Sequence, residues 1–90
     1  MNWSKDDFIT WLETMQLCDV ISIKNTPDFN PLSIWRLRCD EYVTVYATRY
    51  YNDDSSNWSP LPLWARSFLR GIWRLRHVTV AQCMEVVRET

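Results

Sequence analysis

The sequence predicts an α+β fold, and three observations carry that expectation. Apolar residues recur at helical spacing near both ends, β-branched and aromatic residues alternate through the middle, and the segments follow the order α-β-β-β-α. The expected architecture is an N-terminal helix, a three-stranded antiparallel meander and a C-terminal helix, optionally followed by a second short helix, with the helices on one sheet face. A chain of 90 residues makes a single domain, 1–90, small enough that its large side chains must share one core. Most of the six tryptophans are therefore expected inside.

Ser4 followed by Asp7 is a capping-box-like start, in which the serine oxygen accepts from the third helical amide and Asp6 and Asp7 suit the positive helix end. Trp3 and Phe8 occupy the two positions of a hydrophobic staple. Phe8, Trp11, Leu12 and Met15 then repeat at i, i+3, i+4 and i+7, which predicts an amphipathic helix from Lys5 to about Leu17. The run 19–25 is rich in β-branched residues and closes at Asn25-Thr-Pro27, a short strand. Residues 27–31 read as a loop whose Phe29 tucks against the core.

Ile34-Trp-Arg-Leu-Arg38 alternates apolar and basic residues, Cys39-Asp40-Glu41 makes a turn, and 42–51 alternates over a longer run, so the expectation is a hairpin. Period two sends Trp35, Leu37, Val43, Val45 and Ala47 to the core. It sends Arg36, Arg38, Tyr42, Thr44, Tyr46, Thr48 and Tyr50 to solvent. Residues 52–59 form a polar loop whose Trp58 either folds back on the sheet edge, the favoured reading, or stands out as an anchor.

The stretch 60–76, PLPLWARSFLRGIWRLR, is the central helix of this reading. Leu61, Trp64, Ala65, Phe68, Ile72 and Leu75 fall on one side, and Arg66, Arg70 and Arg74 form a ridge on the other with Trp73 beside it. Gly71 costs about 1 kcal/mol relative to alanine within a helix, so it marks a bend or a close neighbour. His77-Val-Thr79 reads as a break with Thr79 as a new cap, and Val80, Cys83, Met84 and Val87 give the last short helix. One long helix through Glu89 is the alternative. The pentapeptide Ile-Trp-Arg-Leu-Arg occurs at 34–38, expected in a strand, and at 72–76, expected in a helix, so it is not read as an internal repeat. The α-β-β-β-α order resembles that of double-stranded RNA-binding domains in topology alone. The basic cluster those domains carry at the start of the second helix is replaced here by Leu61-Pro-Leu-Trp-Ala65.

Net charge is −1, which argues against a nucleic-acid binder driven by bulk charge. The charge is nevertheless segregated: residues 1–45 hold four bases and seven acids, residues 46–90 six arginines and four acids. Such a layout favours an oriented contact with a protein or a local contact with phosphate. Three cysteines at wide spacing, with no CxxC pair and no secretory leader, suggest a reduced cytoplasmic compartment and small buried thiols. The Asn2-Trp-Ser4 and Asn57-Trp-Ser59 sequons then read as chance matches. No apolar run approaches the roughly 20 residues of a membrane span.

A lone histidine, His77, and a lone glycine leave no assembled nucleophile, base or phosphate loop, and the acid pairs 6–7, 40–41 and 53–54 suit helix-start, turn and loop roles. No enzyme activity, cofactor or metal is expected. What remains is surface. Arg66, Arg70, Trp73 and Arg74 combine the residue types enriched at interface hot spots, against the alternative of a solvated face whose arginines pair with nearby acids. This points to a small inhibitor, immunity or adaptor protein of the kind phages and mobile elements encode. It would act sterically on a larger protein or nucleoprotein complex, docking Trp73 with Arg70 or Arg74. A second surface, Tyr42, Tyr46 and Tyr50 with Arg36, Arg38 and Arg49 nearby, suits stacking of single-stranded nucleic acid unless those residues only pack across strands. A third, Asp53, Asp54 and Trp58, is a weaker contact for a basic partner. A homodimer closing either face is a further reading.

Overall fold

The computed structural model describes residues 3–23, 30–53 and 55–90, and within them the α+β class holds in a different arrangement. The order is α1 (Lys5–Glu13), β1 (Val20–Ile23), α2 (Pro31–Arg38), β2 (Val43–Val45), β3 (Arg49–Asn52), β4 (Asn57–Pro60), α3 (Leu63–Ile72), β5 (His77–Thr79) and α4 (Val80–Arg88). Two small antiparallel sheets result, β1 with β5 and the meander β2-β3-β4. The expected Phe29 contact lies outside the described residues.

The helix starts follow the local chemistry. Ser4 Oγ accepts from the Asp7 amide at 3.3 Å, and Thr79 and Gln82 form a reciprocal capping box at the head of α4. The last helix is therefore separate from α3. The stretch 77–79 is more than a break, because its backbone pairs with β1, with Val20 opposite Thr79 and Ile23 opposite His77. The order shared with double-stranded RNA-binding domains is lost, since a helix stands where the second strand was expected.

That helix is α2, and its residues 34–38 correct the strand reading. Asn30 caps it with a side-chain oxygen 2.9 Å from the Ser33 amide, Ser33 returns the bond to the Asn30 N–H at 3.1 Å, and Pro31 takes the first turn. Asn30 Nδ2 also donates to the Val45 carbonyl at 3.2 Å, fastening the helix start to β2. Leu32, Trp35 and Arg36 are buried at i, i+3 and i+4, while Leu37, expected inside, is half exposed. The two copies of the pentapeptide do sit in different environments, but not the expected ones: the first is helical, and the second begins at the last residue of α3 and continues into the turn beyond it.

The meander begins later than expected. Residues 42–51 are not one strand, because the chain reverses at Ala47 and Thr48, where the Tyr46 amide donates to the Arg49 carbonyl at 2.9 Å. The expected loop 52–59 contains a tighter turn, with Ser56 at φ 56°, and then β4. Tyr50 lies opposite Val45 and Ser59. Its ring packs 4.9 Å from that of Trp3, so it belongs to the inner side and not to the solvent face. Ala47, expected inside, is exposed.

The core centres on Phe8, whose ring lies 5.1 Å from Trp35, 5.2 Å from Phe68, 5.7 Å from Trp64 and 5.9 Å from Trp11. Rings at these separations combine large buried area with favourable edge and tilted contacts. Ala65, Phe68, Leu69 and Ile72 of α3 and Val80, Cys83, Met84 and Val87 of α4 complete it. Cys18 and Cys39 are exposed, so of the three thiols only that of Cys83 is the small buried side chain expected.

Candidate functional site

The central helix is shorter than its pattern. Apolar residues face inward as expected, but α3 ends at Ile72, with Trp73 as its C-cap donating its amide to the Arg70 carbonyl at 3.4 Å. Arg70 is exposed on the last turn, Arg74 is exposed just beyond it, and Trp73 between them is 62% exposed. Arg66 differs from these. It is half buried, with Nε donating to the Leu61 carbonyl at 2.9 Å. The ridge is thus one anchored arginine at the start of α3 and an exposed Arg-Trp-Arg set at its end.

Trp73 is also the exception among the six tryptophans. Trp3, Trp11, Trp35, Trp58 and Trp64 each pack on another ring. Trp73 has no ring neighbour among the described residues.

The alternative set does not share one exposed face. Arg36 is 4% exposed: its guanidinium ion-pairs with Glu41 and lies 4.4 Å from the ring centre of Trp35. Arg38 is exposed at the end of α2. Tyr42 and Tyr46 are exposed, whereas Tyr50 is turned inward.

A different cluster occupies the outer face of the meander. Tyr51 pairs with Trp58 and Arg49 with Pro60 across β3 and β4, and residues two apart on a strand share a face. Trp58 packs 5.3 Å from Tyr46 and 5.2 Å from Tyr51, at interplanar angles of 48° and 60°. The Arg49 guanidinium lies 4.2 Å over its ring, within cation–π reach. Trp58 is thus a residue of the sheet itself and not of a loop folded back on its edge, and it stays 47% exposed. Beside this cluster an open groove of about 540 Å³ is lined by Thr48, Arg49, Trp58, Ser59, Pro60 and Arg66.

Sequence reasoning missed Tyr51 because strand parity after position 45 depends on the two-residue reversal, which carries no Asn-Gly or Asp-Gly signal, and it placed Trp58 in a loop because its neighbours are not strand formers. Asp54, assigned to the third surface, lies outside the described residues. Among the described residues, no group of three or more His, Cys, Asp or Glu side chains is arranged to hold a metal, and no helix is long and apolar enough to cross a membrane. No protein-family model matches the chain, and neither the curated proteins nor the solved structures yield a match.

Proposed function

We propose that this chain is a small, non-enzymatic protein-interaction protein of the cytoplasm. It acts sterically, as an inhibitor, immunity or adaptor protein of the phage or mobile-element kind, on a larger protein or nucleoprotein complex. The exposure of Trp73 between Arg70 and Arg74 carries this reading. An indole left in water keeps a large apolar area unburied, and Trp flanked by Arg is the composition of a binding hot spot. The test is affinity capture from lysate with and without nuclease, using the native chain and Trp73→Ala. A stoichiometric protein that survives nuclease, and whose affinity Trp73→Ala lowers by about 2 kcal/mol or more with the fold intact, supports the reading. Equal capture by the variant sinks it.

The second reading, a nucleic-acid-binding module, is favoured by one observation: Tyr46, Tyr51, Trp58 and Arg49 share an open sheet face. A steep loss of oligonucleotide affinity between about 50 and 200 mM salt is its signature.

A further inference from the structure

The groove beside β4 holds two arginines whose positions are set by the fold and whose charge no carboxylate of the described residues neutralises. The Arg49 guanidinium is held over the indole of Trp58, 4.2 Å from its centre. Arg66 is tied at Nε to the Leu61 carbonyl at 2.9 Å, which leaves its terminal nitrogens as the donors for a ligand. Neither forms an ion pair with a carboxylate of the described residues. Arg36, by contrast, is paired with Glu41. Ordering a long side chain in advance removes an entropy cost that binding otherwise carries, so two held, unneutralised guanidinium groups in one groove form a ready anion site.

The rest of the lining says what else the ligand carries. Half-exposed Trp58 and exposed Pro60 supply an apolar wall, and Thr48 and Ser59 supply hydroxyl groups. Pro60 ends β4 and has no N–H, which blunts strand addition there, so side chains and not a continued sheet must read the ligand. Stacked nucleobases fit less well. Arg49 already covers one face of the indole, and the neighbouring rings meet it at 48° and 60° in place of a bare parallel platform. A net charge of −1 also gives little long-range attraction for a polyanion.

We infer that this groove docks an acidic peptide segment of the protein partner. A carboxylate sits between Arg49 and Arg66, and the adjoining apolar side chain lies on Trp58 and Pro60. The inference rests on the protein-interaction reading above and names the partner's chemistry at a second point of contact.

The test is a titration of the whole ¹⁵N-labelled chain followed by the Trp58 indole and the Arg49 and Arg66 Nε–H signals. The probes are acetyl-Glu-Leu-Glu-Leu-amide, its Gln-Leu-Gln-Leu counterpart, and octathymidylate at matched ionic strength. Saturable shifts with the acidic peptide, weakened about tenfold by Arg49→Gln and by Arg66→Gln with the remaining amide spectrum unchanged, are expected. Because the two arginines lie on different elements, either variant alone suffices if the other fails to fold. Absence of a saturable shift with the acidic peptide, equal binding of the glutamine peptide, or tighter binding of octathymidylate overturns the inference. A captured protein that depends on Trp73 but not on Arg49 overturns the groove site while the interaction reading stands. If no protein is captured at all, the reading beneath it falls too.

Discussion

Arg36 and Glu41 are joined twice across the reversal that ends α2. Their side chains form an ion pair, and the Glu41 amide donates to the Arg36 carbonyl at 2.9 Å while the Asp40 amide donates to Leu37 at 3.0 Å. This is the bond pattern of a Schellman cap, with an ion pair where an apolar contact is usual. Arg36 is 4% exposed, so taking away its carboxylate removes the opposite charge from a desolvated guanidinium, which costs more than the intact pair contributes. Glu41→Ala should destabilise by about 2 kcal/mol, less than a fully buried pair because Glu41 keeps some solvent contact. Arg36→Leu with Glu41→Leu should cost less than Glu41→Ala alone. Urea denaturation of the three variants checks this, and a native-like midpoint for Glu41→Ala sinks it.

The same cap holds Asp40 at φ 60°. A residue with a Cβ is strained there by roughly 1 kcal/mol, somewhat less for Asp than for most, whereas glycine adopts the left-handed region freely. Asp40→Gly should therefore raise stability by up to about 1 kcal/mol, part of the gain being offset by the greater freedom of glycine in the unfolded chain. Thermal unfolding reads the shift, and a lower midpoint for the variant contradicts it.

The helix starts and the inward face of α3 were legible because each is written in local terms: Ser4 with Asp7, Thr79 with Gln82, and Ala65, Phe68 and Ile72 at helical spacing. Residues 34–38 misled because a five-residue alternation fits a strand, while the deciding signal, Asn30-Pro31 with Ser33, sits just upstream. Arg36 then passed for a solvent-facing cation. Strand β4 was invisible because Asn57, Ser59 and Pro60 are poor strand formers, and only pairing with β3 makes them one. Trp73 could be placed outside the core from phase alone. The groove could not, since it needs β4 and the correct parity of Arg49.

Gly71 is required by a close contact and not by backbone geometry. A Cβ built on it would overlap Cγ1 of Val86, a β-branched residue with little rotamer freedom on a helix, so α3 and α4 must separate to admit it. Gly71→Ala should lose about 1–3 kcal/mol from overpacking, partly offset by about 1 kcal/mol of helix propensity. Combining it with Val86→Ala should recover much of the loss. Independent, additive effects of the two substitutions would argue against the contact.

Cys83 ties stability to alkaline pH. Burial pushes its thiol up from the ordinary 9.0 to about 12, because a thiolate there would lose its hydration. In the unfolded chain the thiol ionises near 9, so the native state holds a proton that the unfolded state releases. The contribution is fully present below pH 9 and is lost as pH rises from 9 through 12, with a limiting slope of about 1.4 kcal/mol per pH unit. The measurement is the difference between the native chain and Cys83→Val, whose stability should lack that component. Thiol labelling at neutral pH gives an independent check. The thiolate is the nucleophile, so exposed Cys18 and Cys39 should react in the folded protein and Cys83 only at the rate of global opening. Three equally fast thiols would mean that α4 is not packed as the structure has it.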